Sequence, residues 1–346
     1  MRQSVSQRDV HRRDLPVTLP NADYQYLIDL DIGTPAQSIS LAVDTGSSDV
    51  WVFGPSSCTA CSGGVFDPTQ SSTGFYENDL GDFSTSYYDN TTVTGYYITV
   101  TVTVAAATVT GVTLGVATKT NSLYWSILGI GFDGAEASQV KHNGFLDDLY
   151  KQGVITSHSY SIHLDDQDAA SGTIIFGGVD STRYSGELVS LPIVPYSDSV
   201  PRLQVTWTSL SLTDASDTTT ALTQSDLSSP VILDTGSTTA ILPVDIFNEL
   251  ASFFGVHQAD NGVYTVPCQV PEGYFTFGFG AGPAITIQVP FSQIAVPDIG
   301  GSGTCLFGFQ PQADSLIFFG DSFLRSAYVY YDFDASTISL AQAKTT

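Results

Sequence analysis

Two four-residue runs in this chain are identical: Asp44-Thr45-Gly46-Ser47 and Asp234-Thr235-Gly236-Ser237. A carboxylate at the end of an apolar run, followed by a hydroxyl residue and a glycine, belongs on a tight turn that other backbone can approach closely. One copy alone would be a turn. Two copies brought together would set their carboxyl groups about 3 Å apart, where both cannot ionise, so the pair would share one proton and titrate as a unit. Asp44 and Asp234 could then act as base and acid. They would deprotonate a water as it attacks an amide carbonyl and pass a proton to the leaving nitrogen. That chemistry needs no metal, no cofactor and no covalent nucleophile.

The elements that must position these turns repeat as well. Leu41-Ala42-Val43 leads into the first turn and Val231-Ile232-Leu233 into the second, and the two aspartates are 190 residues apart. A second apolar run ending in glycine follows each turn: Ile127-Leu128-Gly129 and Phe318-Phe319-Gly320, the glycines lying 85 and 86 residues after their aspartates. Matched features at matched spacing imply two equivalent lobes about a pseudo-two-fold axis, each giving one aspartate, with a boundary near Pro192 to Pro201. Elsewhere short runs of Val, Ile, Thr, Tyr and Phe alternate with Gly, Pro, Asn and Asp clusters, the pattern of an all-β protein. Two short helices are expected, Phe145 to Gln152 and Pro243 to Phe254, each closed by a glycine. The Ser/Thr/Asp-rich stretch from Thr213 to Ser229 reads as a hairpin or an exposed loop.

Composition removes other classes. Eleven Lys plus Arg against 35 Asp plus Glu give a formal charge of -24, a surface that repels nucleic acid. Positions 90 to 118 carry no charge, yet Ile98 to Val104 alternates with period two, which makes a strand and not a transmembrane helix. No secretory apolar region opens the chain, so a signal peptide is not part of it. Cys58, Cys61, Cys268 and Cys305 fall into two widely separated pairs, as expected if each closes a local loop in an oxidising compartment, and secretion is the default. Gly129 to Gly134 matches G-x-G-x-x-G but lacks the βαβ setting of a dinucleotide site. Cys58-Thr59-Ala60-Cys61 has no second cysteine pair or paired histidines to complete a zinc site, and the five histidines are scattered.

Taken together, the two Asp-Thr-Gly-Ser turns, Ser48-Asp49-Val50-Trp51-Val52 after the first, and the two apolar-Gly runs resemble the pepsin-like aspartic endopeptidases. The resemblance covers essentially the whole chain after Asp14. Ser171 to Asp180 and Phe323 to Tyr328 are similar to the fungal yapsin-type and secreted yeast branch. It implies a bilobal all-β fold with a cleft between the lobes and a β-hairpin flap. The expected division is an arm or prosegment remnant over 1–13, an N-terminal lobe with flap over 14–195, and a C-terminal lobe over 196–346. It further implies that Asp44 and Asp234 are the catalytic dyad, that Thr45 and Thr235 brace it, and that Ser47 hydrogen-bonds Asp44. Gly46, Gly236, Ser237 and Thr238 match substrate-backbone positions, and Ile127 matches an apolar pocket wall.

The flap matches Tyr87-Tyr88-Asp89-Asn90-Thr91, where relatives of the fungal branch carry Tyr-Gly-Asp-Gly-Thr. Counting as in that branch makes Tyr87 the flap tyrosine, with Asp89 and Thr91 lining the cleft; counting as in ordinary pepsins selects Tyr88. Both flap glycines are replaced, by Tyr88 and Asn90. Asp89 would favour basic substrate side chains or simply hold a turn. Asn90-Thr91-Thr92 is the one N-x-S/T sequon, offering a glycosylation site at the cleft mouth or an unoccupied hairpin turn. Because the lobes should fold as separate cores, Cys58 is expected to pair with Cys61 and Cys268 with Cys305. Arg12-Arg13 suits a processing protease, and a lipid-anchor tail following Thr346 would give a cell-surface form. The expected partners are polypeptide substrates and statine-type peptide inhibitors, acting on a secreted monomer. The competing reading is a catalytically silent pepsin-like binding or inhibitor protein, whose turns would usually be damaged; both turns here are intact.

Overall fold

The computed structural model describes residues 14–22, 25–58, 61–121, 124–132, 134–195, 202–224, 226–297, 304–312 and 316–345. The expected prosegment remnant, residues 1–13, and most of the expected lobe boundary, residues 196–201, lie outside them. Strands dominate, and the few helices are short, as the scarcity of helical periods requires. Val244–Phe254 buries Ile246, Phe247, Leu250 and Phe254 and stops at Gly255, whose left-handed φ of 65° suits a residue without Cβ. Phe145–Lys151 ends beside Gln152 as expected. Among the described residues no helix is long and apolar enough to cross a membrane.

Three large sheets carry the molecule. The first runs in the order Leu27–Ile32, Gln37–Asp44, Ser126–Gly129, Val50–Phe53, Ala107–Thr120, Thr92–Val104 and Phe75–Tyr76, with Asp82–Ser86 pairing to Thr92–Val104. The uncharged 90–118 stretch therefore becomes two strands of a hairpin, with Val100, Val102 and Val104 buried and the intervening threonines partly exposed. The second sheet runs Ile285–Pro290, Gly273–Phe279, Gln204–Asp214, Ser229–Leu233 and Phe318–Phe319. Thr219–Ala221 folds back on Gln204–Asp214, so part of the polar Thr213 to Ser229 stretch is a hairpin. The third sheet runs Leu15–Pro20, Ser171–Phe176, Ser159–His163, Ala327–Asp332, Thr337–Ala343 and Tyr184–Pro192, joining strands from both ends of the chain.

The two equivalent aspartate-bearing units sit on the first two sheets. In each, the strand leading into Asp-Thr-Gly lies parallel to the apolar-Gly run: Ala42 opposite Ile127 and Val43 opposite Leu128 in one, Ile232 opposite Phe318 and Leu233 opposite Phe319 in the other. Beneath Asp234 the ring of Phe319 meets Trp207, Phe277 and Phe323 at centroid distances of 5.3, 5.1 and 5.1 Å; beside Asp44 the buried Tyr160 hydroxyl donates to the Ile130 carbonyl at 3.0 Å. The disulfides are Cys58–Cys61 and Cys268–Cys305, the latter spanning 37 residues.

Several acids are buried away from the cleft. Asp321 and Arg325 are both fully buried, one turn apart, and the Arg325 Nε donates to the Tyr26 hydroxyl at 3.3 Å. Burial raises the Asp321 carboxyl to about 8 against the opposing pull of the Arg325 charge. Burial likewise raises Asp148 to about 6 and lifts Asp49 above the usual carboxylate range.

A carboxyl whose folded pKa is raised binds more protons folded than unfolded. Its stabilising contribution is complete below about pH 4 and is lost as pH climbs towards 8 for Asp321 and 6 for Asp148. The thermal midpoint should therefore be higher near pH 5 than near pH 8, and Asp321→Asn should flatten that decline; a midpoint rising towards pH 8 would contradict the assignment. Replacing Cys268 and Cys305 by serine should lower unfolding free energy by about 3 to 4 kcal/mol, and opening Cys58–Cys61 by less, as denaturant titration would measure.

Candidate active site

The parallel pairings deliver both turns to one place. Asp44 ends its strand with its carbonyl accepting from the Ile130 N–H at 2.9 Å, and the Asp234 N–H donates to the Phe319 carbonyl at 3.0 Å. Immediately after them the two lobes are tied by four hydrogen bonds. The Thr45 N–H donates to the Thr235 hydroxyl at 3.2 Å and the Thr235 N–H to the Thr45 hydroxyl at 3.1 Å. The Thr45 hydroxyl then donates to the Leu233 carbonyl and the Thr235 hydroxyl to the Val43 carbonyl, both at 2.7 Å. Both threonines are buried, so each hydroxyl is fully committed as donor and acceptor within the protein.

That tie fixes the carboxyl groups against each other. A Cβ placed on Gly46 would lie 2.6 Å from Asp234 Oδ1, and one on Gly236 would lie 2.5 Å from Asp44 Oδ1. Each turn's glycine thus covers the other lobe's carboxylate, and any side chain at either position would push the pair apart. The local bonding is symmetrical: Gly46 N–H to Asp44 Oδ1 and Gly236 N–H to Asp234 Oδ1, both 2.8 Å. The Ser47 hydroxyl donates to Asp44 Oδ2, and the Ser237 hydroxyl to Asp234 Oδ2 at 2.9 Å. Asp234 keeps some residue-level exposure at the cleft floor, but the protein packed round its carboxyl dominates. Burial first, then the Asp44 charge and a hydrogen bond between the two carboxyls, push Asp234 well above the usual carboxylate range.

The flap hairpin stands over the dyad. Asp82–Ser86 pairs with the start of Thr92–Val104 in a register that sets Ser86 opposite Thr92. The Tyr87 hydroxyl accepts from Trp51 Nε1 at 2.7 Å and bonds Ser47, so a chain runs from Trp51 through Tyr87 and Ser47 to Asp44. Burial, then the nearby Asp44, pushes the Tyr87 phenol upward, keeping it a neutral donor. Of the two candidates, Tyr87 is the one hydrogen-bonded towards the dyad, while the Tyr88 ring lies against Phe318. Asp89 holds the tip: its two oxygens accept from the Thr91 N–H and hydroxyl, each at 2.8 Å. Asn90 adopts φ 67°, a left-handed conformation that Asn tolerates best among residues with a side chain, and its sequon is exposed. Ile127, half-buried opposite Trp51, packs with the flap-side aromatic cluster of Trp51, Phe53, Phe83 and Tyr97. Thr238 lies past the second turn, its carbonyl accepting from the Ser322 N–H at 3.1 Å.

Three contributors were not anticipated from sequence. The Trp51 indole N–H could have been found by asking what acceptor a buried tryptophan uses. Ser237, expected to meet substrate, also mirrors Ser47 in bonding its own aspartate. Gln25 Nε2 reaches the Gly236 carbonyl at 3.3 Å from outside either motif, and nothing local signals that contact. Among the described residues no cluster of His, Cys, Asp and Glu could hold a metal ion.

The family model for eukaryotic aspartyl proteases matches residues 25–343, with both turns inside the match. This chain belongs to that family. It is 36% identical over 336 residues to an acid protease of Saccharomycopsis fibuligera, covering 95% of this chain and 83% of the relative. It is 35% identical over 348 residues to secreted aspartic protease 8 of Candida albicans, covering 97% and 80%. The crystal structure of the aspartic proteinase from Irpex lacteus shares the fold, with a TM-score of 0.78 at 22% identity over 96% of this chain and 98% of that one.

The threonine tie makes its own prediction. Thr235→Val keeps shape but strands the Val43 carbonyl and the Thr45 N–H, and should destabilise the protein by about 1 to 3 kcal/mol in denaturant titration. Thr45→Val combined with it should cost less than the sum of the two, because the bonds form one network; strict additivity would show that they are independent.

Proposed function

We propose that this pepsin-like aspartic endopeptidase cleaves polypeptides in acid through a water activated between Asp44 and Asp234. The observation that carries the reading is the contact of the two carboxyls, each covered by the other lobe's glycine, with burial and the Asp44 charge lifting the Asp234 carboxyl. In the resting pair Asp234 keeps the shared proton and Asp44 accepts from Gly46 and Ser47. Asp44 takes the water's proton as its oxygen attacks the scissile carbonyl, while Asp234 donates to the carbonyl oxygen that becomes negative. Asp44 then passes that proton to the amide nitrogen as the C–N bond breaks, the former carbonyl oxygen returns its proton to Asp234 as the C=O bond re-forms, and the dyad is back in its one-proton state. Gly46, Gly236, Ser237 and Thr238 would hold the peptide backbone from below. Tyr87, Thr91 and Ile127 would close over it, with Asp89 acting first as the brace of the flap tip.

The same reading takes residues 14–195 and 196–346 as the two lobes and Thr45 and Thr235 as the brace between them. It describes a secreted monomer bound by statine-type inhibitors, consistent with the secreted relative, the two disulfides and a charge of -24 that favours folding at low pH.

Asp44→Asn and Asp234→Asn should each lower kcat by at least about a thousandfold without loss of fold, and the double variant should be little worse, because the pair works as one unit. Activity should close on the alkaline side as the shared proton is lost and be negligible near pH 8. Assays on an unstructured polypeptide with and without a statine-type inhibitor check this; substantial activity in either single variant, or an alkaline optimum, would overturn the mechanism.

A further inference from the structure

The flap tip makes a contact that the chemistry above does not use. The Asn90 N–H closes a turn on the Tyr87 carbonyl at 3.0 Å. Tyr87 turns back to Trp51 in its own lobe, and within that turn stands Tyr88. Its ring lies edge-on to Phe318, centroids 4.8 Å apart and planes at 86°. Phe318 belongs to the other aspartate-bearing unit: it pairs with Ile232, two residues before Asp234. Ile232, Ile241 and Phe318, with the partly buried Leu316 against them, form a small apolar cluster separate from the main core. Tyr88 is 42% exposed, so its ring covers the Phe318 member of this cluster while still meeting solvent. The branch that this chain resembles carries glycine at the position, which could make no such bridge.

We propose that Tyr88 is a specificity-determining residue that plugs the apolar pocket beside Asp234. The inference rests on the peptidase reading and refines it. A peptide whose side chain over this pocket is small leaves Tyr88 on Phe318. A bulky side chain takes the same space only by breaking the ring pair. An edge-to-face pair biases such an equilibrium by about 2- to 10-fold, so the enzyme disfavours bulky residues at this one substrate position by that factor relative to a protein without the plug. The selection comes from the side chain that replaced a flap glycine, and it acts on one flank of the dyad alone.

Two measurements test it, using Tyr88→Ala, Phe318→Leu and the double variant of the full chain. In peptides varied between Ala and Phe at each position flanking the scissile bond, Tyr88→Ala should raise the Phe-over-Ala ratio of kcat/KM by about 2- to 10-fold at one position and leave the others within twofold. Phe318→Leu should shift the same position, and the double variant should shift it no further than the larger single effect. In the peptide-free protein, hydrogen exchange over residues 82–96 should quicken by a similar factor in either variant, again without addition. A Phe318→Leu effect on the flap is the readout that general loosening by Tyr88→Ala would not give. No shift at any position, a shift towards small residues, or additive exchange effects would each overturn the proposal. An unsubstituted protein that cleaves nothing would instead overturn the peptidase reading, and the exchange data would still decide whether the ring pair holds the flap.

Discussion

Everything at the cleft depends on two buried hydroxyls, those of Thr45 and Thr235. Each donates to the backbone carbonyl that precedes the other lobe's aspartate and accepts from the other threonine's N–H. A hydroxyl so placed cannot turn away without stranding a buried carbonyl and a buried N–H together. The spacing of the carboxyl groups is therefore set by backbone, through hydrogen bonds that cross the pseudo-axis, and not by the rotamers of the aspartates themselves. The glycines that follow complete the constraint, since a single carbon on either would collide with the opposite carboxyl. Two acids forced together in this way favour sharing a proton.

The near-symmetry of the dyad is broken by what surrounds it. Asp44 belongs to the flap side, where Ser47 links it through Tyr87 to the Trp51 indole. Asp234 lies next to the aromatic packing of Phe319, and burial lifts its carboxyl well above the usual carboxylate range. Two groups of one chemical type thereby meet different surroundings, the kind of difference that acid and base roles require. The same preference for protonated carboxyls recurs at Asp321, Asp148 and Asp49, so the scaffold and the site both favour acid.

Much of this was legible in the sequence because duplication is a long-range signal written in local motifs. Asp44, Asp234, the following apolar-Gly runs and the all-β class could be read from repeated short strings. The flap tyrosine was ambiguous between Tyr87 and Tyr88, since the two ways of counting back from Gly95 differ by one residue and a count alone cannot say which ring a turn sends inward. In the structure it is the Tyr87 hydroxyl that accepts from the Trp51 indole N–H. The sheet that joins Leu15–Pro20 to Ala327–Asp332 through Ser171–Phe176 and Ser159–His163 was not legible, because alternation marks a strand without naming its partner. For the same reason the contacts of Gln25 with Gly236 and of Tyr88 with Phe318 leave no trace in either segment.

The central claim is that the dyad holds one proton between two carboxyls fixed by the threonine tie. Neutron diffraction from a deuterated crystal of the peptide-free protein at about pH 5 would look at that proton directly. One deuteron shared by Asp44 and Asp234, with both threonine hydroxyl deuterons directed at Leu233 and Val43, is the result that this account requires. Two bare carboxylates, or a deuteron on each, would contradict it.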